Sequence, residues 1–385
     1  MIALTERQDS KEDRMQRMRS RAIRATVLIA LVMASLGLGI LPAGAAEAGA
    51  VFTMSNAAGG NEVVVFARAD DGTLSHVADY ATGGAGSGGG LGSQGAVRLS
   101  GDGRWLLAVN AGSDDVSVFR VNGTALELTD TVGSGGDSPI SVDIAGRFVY
   151  VLNAGSPNIV GFRLNLNGEL TPIKGAVRPL STPESDPAQV EFSPDGRSLV
   201  VTEKNTNRIV AYRVAPSGVA SQARVSDSAG LTPFGFEFDP AGRLIVSEAF
   251  GGEPDASAVS SYALGANRRT VLIDGPVATT ETAACWIVVT DNGQYAYTTN
   301  TGSDSITGYA LGSDGSLTIL NEDGVTAITG DAPTDMALSD GSEFLYALDS
   351  GSDTVSVYQI EGDGALTLIQ TVVGLPAAAV GLASA

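Results

Sequence analysis

Six turn sequences recur along this chain at a nearly constant interval, and that period constrains the fold more than any other feature. They are Ser100-Gly101-Asp102-Gly103-Arg104, Ala145-Gly146-Arg147, Pro194-Asp195-Gly196-Arg197, Pro240-Ala241-Gly242-Arg243, Asp291-Asn292-Gly293-Gln294 and Ser339-Asp340-Gly341-Ser342. Their glycines, from Gly103 to Gly341, stand 43, 50, 46, 51 and 48 residues apart. Each turn leads into a β-rich run such as Trp105–Val109 or Phe344–Leu348, then a small polar loop, then a second run such as Val116–Val121 or Val355–Ile360. Asp-Gly and Asn-Gly turns between short runs, without helical periodicity, predict four-stranded antiparallel units. Repeats of about 40 to 50 residues built this way are propeller blades.

The ends set the blade count. Six units fill roughly residues 94–370. The segment 51–82 offers only three strands, Val51–Ser55, Val63–Ala69 and Leu74–Tyr80, while Ala377–Ala383 offers one. Joined, they complete a seventh blade and leave no sheet edge open at the seam. The predicted fold is all-β: a single seven-bladed β-propeller of four-stranded antiparallel blades, the last closed by the N- and C-terminal strands.

Ahead of this domain the pattern changes. Arg14, Arg17, Arg19, Arg21 and Arg24 precede an uncharged apolar stretch, Ala25 to Leu41, which is followed by Pro42 and Ala43-Gly44-Ala45. That order is a secretory signal with an A-x-A cleavage site. Residues 1–46 therefore read as a signal peptide and 47–385 as the propeller, an exported protein with no membrane span after cleavage. The alternative is an uncleaved anchor, for which this apolar stretch is short.

Charge and rare residues then exclude whole classes of chemistry. With 23 Lys+Arg against 43 Asp+Glu, the net charge of −20 repels phosphate backbones and anionic lipid, so no nucleic-acid partner is expected. One cysteine, Cys285, excludes an internal disulfide and a multi-Cys metal cage. One histidine, His76, excludes a multi-His metal site. It falls in an outermost strand, far from any axial site, which rules out a Ser-His-Asp triad. No cofactor and no metal are expected, and the expected state is a monomer.

In an up-and-down blade the Asp-Gly turns share one face, and the second-to-third loops share the other with the inter-blade links. The longest irregular segments, Gly83–Gln94, Arg178–Ala188, Phe250–Ala258 and Asp274–Cys285, fall on that loop face. Long loops on a rigid scaffold are where sites form. Near the axis the ends of second strands place Asn56, Asn110, Asn153, Glu203, Lys204, Glu248, Asn300 and Asp349. The starts of inner strands add Gln94, Gln189, Phe234, Cys285 and Asp335.

The repeated stretches "FSPDGR…VVTE", "YVLNAGS", "YTTNTGS" and "VNAGSDDVSVF" resemble the seven-bladed lactonase-like propeller family. That family includes phosphogluconolactonase, carboxymuconate cyclase and YVTN-type surface proteins. The resemblance covers about 51–385 and is greatest with its secreted, uncharacterised branch. Catalytic members carry an Arg-His pair at the start of an inner strand and a Glu at the end of the next. Here the matching positions hold Ala188 and Gln189, and Glu203 or Lys204, so the Arg-His pair is absent.

Two functions remain open on these residues. One is a metal-independent lactone hydrolase or cycloisomerase. In it Glu203 and Glu248, on neighbouring blades, approach each other at one funnel mouth as general base, and Lys204 steadies the oxyanion. Gln94, Asn110, Asn153, Gln189, Phe234, Cys285, Asn300 and Asp335 would line the ligand. Neither glutamate is expected in the apolar core, so Glu→Gln changes should leave folding nearly intact. The other is a non-catalytic propeller that binds a ligand or protein partner through its loop face. A phosphorylated sugar lactone is disfavoured, since Arg178, Lys204 and Arg208 are the only basic residues near that face.

Overall fold

A computed structural model describes residues 47–385; the signal peptide read from residues 1–46 lies outside the described residues. Seven separate antiparallel sheets form seven blades. Blade 1 orders Val380–Ser384, Glu47–Met54, Glu62–Ala69 and Leu74–Ala81 from the axis outward. Blades 2 to 7 follow in chain order, with inner strands Val97–Leu99, Pro139–Ala145, Pro187–Phe192, Pro233–Phe238, Ala284–Val289 and Pro333–Leu338. The seven-bladed ring and its closure by both chain ends are as the sequence indicates.

Two details differ. The closing strand is Val380–Ser384, because a turn returning the Ala379 N–H to the Pro376 carbonyl holds residues 376–379 out of the ladder. In blade 6 the outer position is split between Leu317–Ile319 and Ala327–Ile328, both pairing with Ser305–Leu311. The intervening Asn321–Gly324 turn bulges away from the sheet.

Second strands such as Trp105–Asn110, Ser198–Glu203 and Phe344–Asp349 are buried along their whole length, because each lies between two neighbouring blades. Outer strands leave much of their length exposed, as Leu170–Pro179 does, since only one face packs. Tyrosines clamp blade to blade. Tyr150 donates to the Gly218 carbonyl at 2.8 Å, Tyr297 to Gly364 at 2.9 Å and Tyr346 to Gly72 at 3.3 Å. The acceptor glycines have φ of +88°, +85° and +82°, and a Cβ on Gly218 or Gly364 would run into the ring of Phe148 or Tyr295. Each clamp is worth about 1 kcal/mol as a net hydrogen bond.

The repeated Gly-Ser-Asp loops latch one blade to the next. Asp114 Oδ1 accepts the Ser138 N–H at 2.7 Å, and Asp304 Oδ1 accepts the Ala332 N–H at 2.8 Å. Asn207 Oδ1 does the same for Thr232 at 2.7 Å. The receiving residues open the next inner strand with φ of +50° to +55°. These loop acids therefore work as turn and latch groups. Among the described residues no trio of His, Cys, Asp or Glu is arranged to hold a metal ion.

Candidate functional site at the loop-face mouth

Strand ends and strand starts do converge on one face, but they divide into two functional sets. The ends of second strands turn away from the axis. Asn56, Asn110, Asn153, Glu203, Glu248, Asn300 and Asp349 are all fully buried. Asn110 donates to Ser117 Oγ at 2.8 Å, Asn300 to Thr307 Oγ1 at 2.9 Å, and Asp349 accepts from Ser356 at 2.6 Å. Asn153 reaches Asn158 at 2.9 Å. In these four blades the position ties the second strand to the third, whereas Asn56 bonds Ser87 and Gly89 of the following inter-blade link.

The two glutamates are longer versions of the same tie. Glu203 accepts the Ser181 N–H at 2.8 Å, the Ser181 hydroxyl, and the Thr206 hydroxyl at 2.7 Å. Glu248 accepts four donors: Ser228 Oγ, the Gly230 N–H, Ser260 Oγ and the Tyr262 hydroxyl, at 2.8 to 2.9 Å. Their extra methylene lets them reach the preceding inter-blade link. The expectation of a shared carboxylate pair at the mouth is thus corrected. Each glutamate is saturated by donors of its own blade and of the preceding inter-blade link and is closed to solvent, so neither can touch a ligand there.

Inner-strand starts behave differently again. Gln94 pairs with Ile287 across the axis, donating to its carbonyl at 2.8 Å and accepting its N–H at 3.1 Å. Gln189 pairs in the same way with Phe236, both contacts at 2.8 Å. These amides imitate a strand ladder and plug the channel. Cys285 is buried, and burial pushes its thiol up to about 12, so it is no nucleophile. Of the three basic residues expected near this face, Arg208 points to Ser181 and Arg178 to the Ser221 carbonyl. Only Lys204 reaches the mouth.

Lys204 Nζ donates to the Gly92 carbonyl at 2.8 Å, lies 5.1 Å from the Phe234 ring centroid and stands 3.3 Å from Asp186 Oδ1. Phe234 packs on Trp286 with centroids 4.9 Å apart, and the Trp286 indole N–H donates to the Ser93 carbonyl at 2.9 Å. Gly90–Ser93, Trp286, Thr334 and Ser350 border a cavity of about 130 Å³ beside them. Asp186 sits at φ +46° just before the Pro187 strand start, and its side chain is 49% exposed. A half-exposed carboxylate beside a sheltered ammonium can deprotonate water and stabilise an oxyanion. Sequence reasoning missed Asp186. Its place immediately before an inner-strand proline was the available signal.

Below the Gln94 plug a second cavity of about 230 Å³ opens toward the turn face, lined by Arg98, Glu237, Asp335, Met336 and Leu382. Arg98 bonds Asp143 at 2.9 Å and lies 3.4 Å from Glu191. Burial works against the Arg98 charge, but Asp143 and Glu191 outweigh it and keep the guanidinium firmly protonated. Burial, then the neighbouring Glu237 carboxylate, raises Glu191 well above the usual carboxylate range, and the two are hydrogen-bonded. Burial also pushes Asp335 up to about 8. These charges were legible as polar residues two apart on inner strands, Ser141/Asp143 and Gln189/Glu191.

The profile of the family described as "Lactonase, 7-bladed beta-propeller" matches residues 59–182, 177–267 and 258–380. No curated protein matches the chain. Among solved structures it is similar to the periplasmic gluconolactonase of Pseudomonas aeruginosa, with TM-score 0.65, 18% identity, and coverage of 86% of this chain and 98% of that one. A candidate 6-phosphogluconolactonase from Bacteroides uniformis gives 0.66 and 21%, covering 86% and 99%. Virginiamycin B lyase of Staphylococcus aureus gives 0.51 and 13%, covering 71% and 82%. At these identities the likeness shows the propeller alone, and propellers carry unrelated chemistries.

Proposed function

Because the chain belongs to the lactonase family of seven-bladed β-propellers, we propose that it is an exported hydrolase of small, unphosphorylated lactones. Family membership and gluconolactonase-like neighbours support a lactone hydrolase kind of function. The signal-like order of residues 14–45 supports export. One observation carries the choice of site: Lys204 and Asp186 stand 3.3 Å apart at the loop-face mouth, above an aromatic floor.

In this reading Asp186 takes a proton from water as the hydroxyl oxygen adds to the lactone carbonyl. Lys204 stabilises the resulting oxyanion. Collapse of the tetrahedral carbon breaks the ring C–O bond, and the proton held by Asp186 passes to the departing alkoxide, giving a hydroxy acid. The ammonium and carboxylate nearly cancel, and no further cation stands at the mouth among the described residues, which disfavours a phosphorylated substrate. The Gly92 carbonyl already on Lys204 supports the binding-only alternative, a propeller that holds a ligand or partner without turnover.

The test is a pH-stat screen of the purified protein against aldonolactones, homoserine lactones and aryl esters. Hydrolysis should appear and fall about two to four orders of magnitude in Asp186→Asn. Wild-type protein that hydrolyses none of them removes the enzymatic reading. Turnover unchanged in Asp186→Asn and Lys204→Met moves the site elsewhere.

A further inference from the structure

Five arginines of this acidic chain gather far from the mouth. A groove of about 800 Å³ runs between blades 3 and 4, from the outer strand Leu170–Pro179 to the link between Arg208–Arg213 and Arg224–Asp227. Arg178, Arg197 and Arg213 line it, over a floor that includes Phe148, Pro216 and Val219. Two more guanidinium groups flank the same Phe148 ring, with Arg147 Cζ 5.4 Å and Arg163 Cζ 5.6 Å from its centroid.

Some arginines elsewhere meet carboxylates, as Arg104 does with Asp102, Arg120 with Glu127 and Arg243 with Asp239, while Arg68, Arg208 and Arg269 are held on carbonyl or hydroxyl oxygens. Among the described residues none of the five groove arginines forms an ion pair. Arg178 is held on the backbone carbonyls of Gly175, Val177 and Ser221, and Arg163 on that of Ser217. Asp195, the acid on the turn of Arg197, accepts the Ser193 hydroxyl and the backbone N–H of Arg197 and attracts the Arg197 guanidinium through space without an ion-pair contact. The guanidinium groups lining the groove are not locked into carboxylate ion pairs, and such forks are suited to receive an anion. The net negative charge does little to oppose binding here, because fields beyond about 8 Å are screened at physiological salt.

We propose that this groove binds a small organic polyanion, a body with an apolar face carrying two or more carboxylate or phosphate groups. Its apolar face lies on Phe148, Pro216 and Val219, and its anionic groups meet the planar guanidinium forks at the rim. The volume suits a ligand of that size. The proposal is independent of the loop-face site, and its test reads binding without turnover.

Calorimetric titration of the full protein at physiological salt, with mellitate, citrate and tripolyphosphate as probes, checks it. Saturable binding is expected for at least one probe. Binding should weaken at least about tenfold in Arg197→Gln/Arg213→Gln and stay unchanged in Arg104→Gln/Arg120→Gln, with melting curves confirming that both variants fold. Tighter binding of the carboxylates or of tripolyphosphate then assigns the anionic group. Absence of saturable binding by every probe overturns the proposal, as does an equal loss in both double variants or no loss in the groove variant.

Discussion

The Asp335 carboxyl of blade 7 accepts the backbone N–H of Leu382 at 3.1 Å, tying the last blade's inner strand to the strand that closes the ring. Its other oxygen accepts the Met336 N–H at 2.8 Å. The site is wholly buried, so ionisation there is costly.

Closure should therefore depend on pH. With a folded-state pKa pushed up to about 8 from 3.8, protonated Asp335 favours the folded state. That stabilisation is complete below about pH 4 and is lost as pH rises through about 8. Thermal melts should show falling stability over that window, and Asp335→Asn should show a shallower slope from a lower starting Tm. A wild-type slope retained in the variant assigns the dependence to other groups, the Glu191–Glu237 pair first.

Deleting residues 375–385 removes the strand that pairs with Glu47–Met54 and the Ala385 carbonyl that receives Arg68 at 3.1 Å. An open sheet edge and a missing ring contact should produce aggregation or a fall in Tm of many degrees. Size-exclusion chromatography and a melting curve check this, and an unchanged Tm contradicts the closure.

Glu248→Gln replaces an acceptor of four donors by a group that must present its own N–H₂ to some of them. About 1–3 kcal/mol of stability should be lost in denaturant unfolding, the usual cost of an unmatched buried polar contact. This reverses the sequence-based expectation of intact folding.

The Cys285 thiol should resist alkylation in the native protein. Its pKa is pushed up to about 12 and the residue is buried, so iodoacetamide at pH 8 should label it only after denaturant is added. Cys285→Ser should leave any lactone turnover unchanged. Fast native labelling would return Cys285 to the list of reactive groups.

Much of the candidate site escaped sequence reading for one reason. Neighbours in a strand point to opposite faces, and the pairing register alone determines which faces look to the axis. Glu203 and Lys204 are adjacent, yet one is sealed against Ser181 while the other reaches Gly92, 112 residues away. Gln94 and Gln189 were legible as axial residues, but their ladder-like bonds to Ile287 and Phe236 belong to other blades.

The repeat, the blade count, the closing seam and the two faces are all legible along the chain. Those follow from turn chemistry and strand alternation, which act within about fifty residues of chain. Which polar groups remain available follows instead from how the folded strands and loops pack. Whether a carboxylate is saturated, as Glu248 is, or half exposed beside an ammonium, as Asp186 is, depends on groups from other strands and loops that folding brings alongside it. The five groove arginines meet for the same reason. They lie on separate turns and strands of blades 3 and 4, and only the packing of those blades brings their charges together.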